Sequence, residues 1–241
     1  MLQRFGTVST LLKDLLYISY LVPSSRLHAL VPSSLPLSTI GKEVFVSVVA
    51  MRNTDVGPVW LPWPRQHYNQ MNIRTYVEDP MTGKQGVFFF KSGITSFGAL
   101  AVPRMLGLPW EKIDLHIRRE VDSSGACRYR ANGDFHGRIM VEVGGLVQQR
   151  GADPGAEMHD AAVHITAPDI GFVKANAREK LLSFGVKHQF IEPLRCELID
   201  LQFPLLEHLG IVEREEMDKP HSVFLVPEAK FLVYLPPRIV G

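Results

Sequence analysis

The strongest constraint on the fold is a hairpin in the first half of the sequence. Residues 71–77 alternate polar and apolar side chains, which is the two-residue period of a β-strand. Residues 79–83 (DPMTG) are typical of a turn, and residues 86–91 (GVFFFK) supply the returning strand. Residues 43–52 (EVFVSVVAMR) add a strand of strongly β-branched composition. The hairpin and this third strand predict a core built mainly from β-sheet.

The rest of the chain favours the same class. Further strand-like runs cover residues 17–22, 113–121, 126–131, 134–143, 197–203 and 222–235. Helices are predicted over residues 9–16, 24–31, 96–106 and 175–183. Glycines and a proline collect within residues 144–160, which predicts a flexible region. Many strands, few helices and frequent turns indicate a mainly β (α+β) protein, and we expect residues 1–241 to form one domain.

Composition narrows the classes of function. The chain has 241 residues and a formal net charge of +1, so it lacks the basic character expected of a nucleic-acid-binding protein. Its uncharged runs near the N-terminus are shorter than the roughly 20 residues of a membrane-spanning helix, and we expect neither a membrane protein nor a signal peptide. Cys127 and Cys196 are too few for a disulfide framework, which favours a cytoplasmic protein.

Motifs for metals and cofactors are weak or missing. His159 and His164 are five residues apart, which differs from the i, i+4 spacing of a zinc pair on a helix, so we expect no metal site. The sequence has no Gly-x-Gly-x-x-Gly or Walker loop to cradle phosphates, and no Gly-x-Ser-x-Gly nucleophile elbow. We therefore expect no cofactor.

Three segments resemble the acetoacetate decarboxylases. Residues 17–37 (YISYLVPSSRLHALVPSSLPL) combine a strand ending in tyrosine, a short helix, a Val-Pro pair and a Leu-x-Leu motif. Residues 86–109 contain a strand, a segment of small residues and a helix closed by Gly-x-Pro. Residues 222–234 include the Pro-x-Ala segment of that family's last strand. The resemblance implies an acetoacetate decarboxylase-like curved sheet or β-barrel with a few peripheral helices, and it also implies a homo-oligomer.

Within that superfamily, the sequence is most similar to the YqjF-like family of uncharacterised bacterial proteins. The matching strings are residues 68–77 (YNQMNIRTYV), 86–89 (GVFF) and 106–109 (LGLP). The Asn-x-Arg-Thr-Tyr-Val string is the most specific of the three. Because this family has no assigned activity, the resemblance supplies a fold and leaves the function open.

The resemblance does not extend to the catalytic residues of the decarboxylase. That enzyme forms a Schiff base on one of two adjacent lysines that follow the proline of the Gly-x-Pro motif. Here those positions hold Trp110, which forms no imine, and Glu111, which favours the charged form of a neighbouring amine. Lys112 lies one residue further, and a one-residue shift turns a strand side chain to the opposite face. The family's glutamate and arginine positions hold Arg104 and Leu21. We therefore expect no Schiff-base decarboxylation.

A polar set remains that could line the same cavity. Asn72, Arg74 and Tyr76 share one strand face, Arg104 is near the end of a helix, and Trp110 follows the motif proline. Two arginines and a tyrosine suit a carboxylate, because guanidinium groups donate paired, charge-assisted hydrogen bonds. These five residues are the candidate ligand-binding residues, and a small organic acid is the expected ligand.

A structural explanation of the same arginines stays open. In it, Arg74 pairs with Glu78 or Glu111, and Arg104 interacts favourably with the dipole of its own helix. Glu111 and His116 are the candidate catalytic residues, since each can exchange a proton near neutral pH when its surroundings allow. Three functions remain: an enzyme with altered acid/base chemistry, a ligand-binding protein without turnover, and a structural subunit of an oligomer.

Overall fold

Most of the chain forms β-strands. The structure, a computed structural model, describes residues 6–61, 64–146, 156–175 and 180–240. The strands are β1 (Thr7–Pro23), β2 (Thr39–Ile40), β3 (Glu43–Pro58), β4 (Gln66–Glu78), β5 (Gln85–Ile94), β6 (Trp110–Lys112), β7 (Asp114–Val121), β8 (Ala126–Asp134), β9 (Arg138–Leu146), β10 (Ile170–Lys174), β11 (Leu181–His188), β12 (Leu194–Arg195), β13 (Glu197–Gln202), β14 (Ser222–Tyr234) and β15 (Arg238–Val240). The helices are α1 (Phe97–Met105), α2 (Ala156–Thr166) and α3 (Pro204–His208), with single 3₁₀ turns at Ser24–Arg26 and Arg214–Glu216. Among these residues, no helix is long and apolar enough to cross a membrane.

The larger of two sheets curves round on itself. Its strand order is β12-β14-β1-β3-β4-β5-β10-β11-β15, and β2 and β6 pair with β3 and β5. Its neighbours are antiparallel except β10 and β6, which run parallel to β5. β11 also pairs with β14, each of which is next to an end of the order, so the sheet curves round without closing into a complete barrel. The mainly β, curved-sheet prediction is confirmed.

The large sheet has an inner and an outer face. The inner face packs around α2, and its core consists of Leu15, Tyr17, Phe45, Tyr76 and Val87 with Ala161 and Ile165 of α2. The outer face packs against the second sheet, whose order is β13-β9-β8-β7. That core includes Leu16, Ile18, Val46, Val48 and Ile73 together with Leu115, Tyr129 and Val141 of the second sheet. The two faces therefore bury different sets of side chains from the same strands.

The helix predicted over residues 9–16 is wrong, because these residues belong to β1. The strand pairs with β14 on one side and β3 on the other, and its register with β3 shifts between Lys13 and Leu16. The shift puts Leu12 and Leu15 on the inner face and Leu16 on the outer face. Because of the bulge, the inward side chains Leu12 and Leu15 are three residues apart. This spacing also fits the apolar stripe of a helix, so it hides the strand pattern in residues 9–16.

The helix predicted over residues 96–106 is confirmed as α1. The Ser96 hydroxyl accepts a hydrogen bond from the backbone N–H of Ala99 and caps the first turn. Pro103 lies near the end of α1, which stops at Met105. The helix predicted over residues 24–31 is reduced to the 3₁₀ turn and the turns that follow it, in front of Pro32.

Two other predictions concern the second half of the chain. Residues 181–183 open strand β11 and are not helical, because they pair with β10 and β15; the preceding residues 176–179 lie outside the described residues. The flexible region predicted over 144–160 lies partly outside them too, at 147–155. Its last residues form the first turn of α2.

Candidate functional site

The inner face brings four of the predicted ligand residues together. Asn72, Arg74 and Tyr76 alternate along β4, as their spacing predicted. Asn72 pairs with Ser92 of β5, and Ser92 pairs with Trp110 of β6. Asn72, Ser92 and Trp110 therefore form one row across three strands, and Arg74 lies next to that row.

Arg74 is a cation held by neutral groups. Its Nη2 donates to the carbonyl oxygen of Ile165 in the last turn of α2, at 2.8 Å, and to the hydroxyl of Tyr76, at 3.4 Å. The guanidinium carbon is 5.3 Å from the ring centre of Tyr17 and 5.5 Å from that of Tyr76. Within the described part of the chain, Arg74 has no salt bridge to a carboxylate. The pairing with Glu78 or Glu111 considered above is therefore not formed.

Buried hydroxyl groups fix Tyr76 next to Arg74, and Tyr17 contacts Arg74 with its ring. The Tyr76 hydroxyl is 2.8 Å from the Ser47 hydroxyl, which is 2.7 Å from that of Ser19. Burial raises the pKa of Tyr17 to about 12, against an opposing effect of Arg74. Tyr17 is therefore a neutral phenol at physiological pH and does not supply a counter-charge for Arg74.

Two polar atoms of the site lack a partner among the described residues. They are Nε of Arg74 and the hydroxyl oxygen of Ser92, and both atoms are buried. Buried polar groups are almost always hydrogen-bonded in folded proteins. These two atoms lie on one face of the sheet, close to each other in the register of β4 and β5.

Apolar side chains form the wall next to this polar group. Phe89 pairs with Arg74 across β4 and β5 and stacks on Phe184 of β11, with ring centres 5.9 Å apart. Trp110 and Phe89 pack against a separate cluster of buried side chains, Leu108, Val173, Leu182 and Phe184. A ligand at Arg74 would thus meet polar groups on β4 and β5 and aromatic rings beside them.

The other predicted site residues lie elsewhere. Arg104 is exposed in the last turn of α1, where its charge suits the helix dipole. His116 is on β7 of the second sheet; its side chain is 76% exposed and its Nε2 lies 3.2 Å from Asp114. The structure does not bring either residue to Arg74.

Glu111 belongs to a charged cluster on the outer side of the large sheet. Its carboxylate is 2.8 Å from the Lys91 ammonium and 2.5 Å from Nε2 of His136, which lies in the turn between β8 and β9. Burial tends to raise the pKa of Glu111, but hydrogen bonds from Lys91 and His136 outweigh this and lower it. The cluster therefore joins the two sheets through a charged carboxylate.

Sequence reasoning missed Tyr17, Ser92 and Lys91. The signal for Tyr17 was available, because its strand was predicted. Ser92 and Lys91 were hidden by a register shift in β5: Arg74 pairs with Phe89, but Ile73 pairs with Lys91. The extra residue turns Lys91 to the outer face and Ser92 to the inner face.

The described residues contain no group of three or more metal-ligating side chains. His159 and His164 are both on α2; His159 is exposed, and His164 contacts the rings of Phe45 and Tyr76.

Two surface cavities, of about 400 and 280 Å³, lie away from the predicted residues. One is lined by residues between Ser24 and Thr39, and the other by residues around Phe190 and Pro227.

Comparisons with solved structures agree on the fold. The acetoacetate decarboxylase from Legionella pneumophila superposes with a TM-score of 0.65 at 14% identity, covering 98% of this chain and 88% of that one. An acetoacetate decarboxylase-like enzyme from Sphingomonas wittichii RW1 gives 0.62 at 14% identity, with 98% and 94% covered. The enduracididine biosynthesis enzyme MppR, complexed with pyruvate, gives 0.61 at 13% identity, with 97% and 90% covered. At these identities the likeness establishes the fold alone.

Comparisons of sequence lead to a family without an assigned activity. No curated protein matches the sequence significantly. One family model, DUF2071, covers residues 10–230 and is described as an uncharacterized conserved protein (COG2071). Since that match spans nearly the whole chain, the protein belongs to the DUF2071 family and has the acetoacetate decarboxylase-like fold.

Proposed function

We propose that the protein binds a small organic acid on the inner face of its large sheet, with Arg74 as the carboxylate-binding residue. The observation that carries the proposal is the guanidinium of Arg74, whose buried Nε has no acceptor and whose charge has no carboxylate partner among the described residues. Its contacts are a backbone carbonyl, a hydroxyl and two aromatic rings.

The energetics favour an anion at this position. A buried donor without an acceptor costs about 1–3 kcal/mol, and more when it is charged. A carboxylate would accept from Nε and neutralise the guanidinium in surroundings that strengthen the attraction. Proteins break such local rules mainly at functional sites and compensate for the cost elsewhere.

The neighbouring side chains suit a small ligand. Ser92 and Asn72, which are 3% and 4% exposed, provide further polar contacts. Phe89 and Trp110 occupy the adjoining wall. Because aromatic rings fill so much of this face, we expect acids of a few carbon atoms.

We also infer that the ligand is not held as a Schiff base. Lys91 is paired with Glu111 on the outer side of the sheet. Lys112 is exposed, and its ammonium lies 5.1 Å from the centre of the Phe97 ring and donates to the backbone oxygen of Ile113. Neither amine is buried in an apolar pocket, the setting that activates a lysine for imine formation.

Binding without turnover fits better than altered acid/base catalysis. Both candidate catalytic residues, Glu111 and His116, make their contacts with charged groups away from Arg74. A general acid or base must come within hydrogen-bond reach of the reacting atoms.

Isothermal titration with pyruvate, the molecule bound to MppR in one of the similar structures, tests the proposal. We expect wild-type protein to bind pyruvate and Arg74→Met to bind it at least about tenfold more weakly, since a charged hydrogen bond contributes about 1.5–3 kcal/mol. Circular dichroism checks that the variant is folded.

Arg104→Met is the matched control, because it makes the same chemical change at an exposed arginine. Its affinity should equal that of the wild type. Equal losses in both variants, or no binding by wild type across a panel of small carboxylates, would contradict the proposed site. Borohydride added to the pyruvate mixture should leave the protein mass unchanged, and a reduced adduct on a lysine would refute the absence of a Schiff base.

A further inference from the structure

Four buried polar side chains form a hydrogen-bonded relay on the inner face. They are Thr10 of β1, Asn53 of β3, and Gln70 and Asn72 of β4, each at most 7% exposed. The three links are 3.2 Å from Thr10 to Asn53, 3.0 Å from Asn53 to Gln70 and 3.1 Å from Gln70 to Asn72. The relay crosses three neighbouring strands and ends at Asn72, in the row that also contains Ser92 and Trp110.

Every link of the relay runs in the same direction. The Thr10 hydroxyl donates to Oδ1 of Asn53, whose Nδ2 donates to Oε1 of Gln70. Nε2 of Gln70 then donates to Oδ1 of Asn72. Each amide thus accepts through oxygen and donates through nitrogen, and such chains polarise in one sense. The relay fixes the Asn72 oxygen and leaves its Nδ2 donor unused by these bonds.

At the end of the relay, the Asn72 amide adds a hydrogen-bond donor to those that Ser92 and Arg74 supply. Asn72 is paired with Ser92, whose buried hydroxyl has no partner in the described part of the chain. Arg74 is two residues along the same strand face and contributes its unpartnered Nε. Guanidinium and amide nitrogens donate and never accept, and a hydroxyl can do both. The local chemistry is therefore that of a site for hydrogen-bond acceptors.

We propose that Asn72 determines the specificity of this site, in favour of acids whose second polar group is an acceptor and against acids that carry an ammonium group. The inference rests on the proposed function, because it requires a carboxylate at Arg74. An oxo or second carboxylate oxygen accepts from Nδ2 of Asn72. An ammonium group there would face an N–H donor and a like charge, and it would lose its hydration without replacement.

Pyruvate and alanine provide a matched pair of probes, since they differ only in the group on the second carbon. Titration calorimetry should show binding of pyruvate and at least about tenfold weaker binding of alanine to wild-type protein. Asn72→Asp replaces the donor by an acceptor in the same shape. We expect it to weaken pyruvate binding at least about tenfold and to reduce or reverse the preference over alanine. Asn132→Asp makes the same change at an exposed position of β8 and should leave both affinities unchanged.

A second variant avoids placing a charge in the interior. Gln70→Met removes the amide that fixes the Asn72 oxygen and keeps the side-chain length. Asn72 can then rotate its amide, so the preference for pyruvate over alanine should fall several-fold while Arg74 still holds the carboxylate. The readout is a ratio of affinities in folded protein, which a loss of stability alone does not change.

The outcomes separate this inference from the proposed function. If no small acid binds to wild type, the proposed function fails and the inference fails with it. If pyruvate binds and depends on Arg74, but both Asn72→Asp and Gln70→Met keep the wild-type preference, only the role of Asn72 is overturned. If the wild type prefers alanine to pyruvate, the role of Asn72 is also overturned, because Asn72 would then present its amide oxygen to the ligand in place of Nδ2.

Discussion

The two faces of the large sheet treat charged side chains in opposite ways. On the outer face, charges are grouped around carboxylates: Asp14 contacts guanidinium groups of Arg52 and Arg119, and Glu111 pairs with Lys91 and contacts His136 of the second sheet. On the inner face, Arg74 is held by a carbonyl, a hydroxyl and aromatic rings. The same residue type is neutralised by the protein on one face and not on the other.

This difference separates charges that the chain pairs internally from one that it does not. Charges on the outer face link the two sheets, so their partners are supplied by the chain itself. A half-buried cation without an internal counter-charge contributes little to the fold, since charges are costly to remove from water. The proposed acid ligand would supply the counter-charge that the described residues do not give Arg74 on the inner face. The comparison therefore predicts large stability effects for outer-face charges and small ones for Arg74.

The largest expected effect on stability is that of Asp14→Asn. Asp14 is 1% exposed, and its backbone has a φ of 51°, which asparagine also tolerates. The amide keeps the shape but leaves Arg52 and Arg119 without their shared counter-charge. Removing one partner of a fully buried pair costs about 3–5 kcal/mol. Because Arg52 is 43% exposed, we expect a decrease of about 2–3 kcal/mol in the free energy of unfolding, measured by urea denaturation.

Asp134→Asn is the control for this measurement, since it removes the same charge from an exposed position at the end of β8. Its free energy of unfolding should stay within about 0.5 kcal/mol of the wild type. If Asp14→Asn is as stable as this control, the ion pairs of Asp14 do not hold the two sheets together. That result would contradict the contrast between the two faces.

A smaller, pH-dependent effect is expected for Glu111→Gln. The pKa of Glu111 is lowered in the folded protein, where hydrogen bonds from Lys91 and His136 outweigh the effect of burial. A carboxylate with a lowered pKa stabilises the fold above its ordinary value of 4.5, and this contribution disappears as the pH falls through the lowered value. Since Glu111 and Lys91 are both 32% exposed, we expect the variant to lose about 0.5–1 kcal/mol at neutral pH.

Urea denaturation at a series of pH values measures this effect. The difference between wild type and Glu111→Gln should be constant near neutral pH and shrink towards zero in acid. Glu120→Gln, which removes a carboxylate that is 54% exposed, is the control. A difference that is independent of pH would show that the carboxylate charge of Glu111 does not stabilise the fold.

The sequence predicted which side chains of β4 share a face, but it did not show which side chains of β5 share that face. Regular alternation in β4 was sufficient to place Asn72, Arg74 and Tyr76 on one face. In β5, the register shift beside Phe90 reverses the alternation, and nothing in the string of phenylalanines signals where it occurs. Simple alternation from Phe89 would have put Lys91 inside, whereas the bulge puts Ser92 there.

The fold was predicted correctly because many weak strand signals agree. The resemblance of three segments to the acetoacetate decarboxylases further implied that the sheet is curved. The failures came from interactions between distant parts of the chain. His116 was predicted from a strand pattern that could not say which sheet the strand joins, and β7 belongs to the second sheet. Arg104 was placed on the correct helix, but the helix presents it to solvent. Neither outcome is encoded in local periodicity.

The smallest effect on stability is expected for Arg74→Met, and it is the most direct test of the comparison. Without ligand, the variant loses the hydrogen bonds to the Ile165 oxygen and the Tyr76 hydroxyl and the contacts with two tyrosine rings. The Ile165 oxygen still accepts from the Tyr76 hydroxyl at 3.3 Å. The methionine also removes a charge that has no counter-charge. We expect the free energy of unfolding to change by no more than about 0.5 kcal/mol, the lower end of the net value of one hydrogen bond. Arg119→Met makes the same change on the outer face, where it withdraws a partner from Asp14, and it should be clearly more destabilising in the same urea titration. If Arg74→Met costs as much as Arg119→Met, Arg74 is a structural residue, and the case for an acid ligand on the inner face is lost.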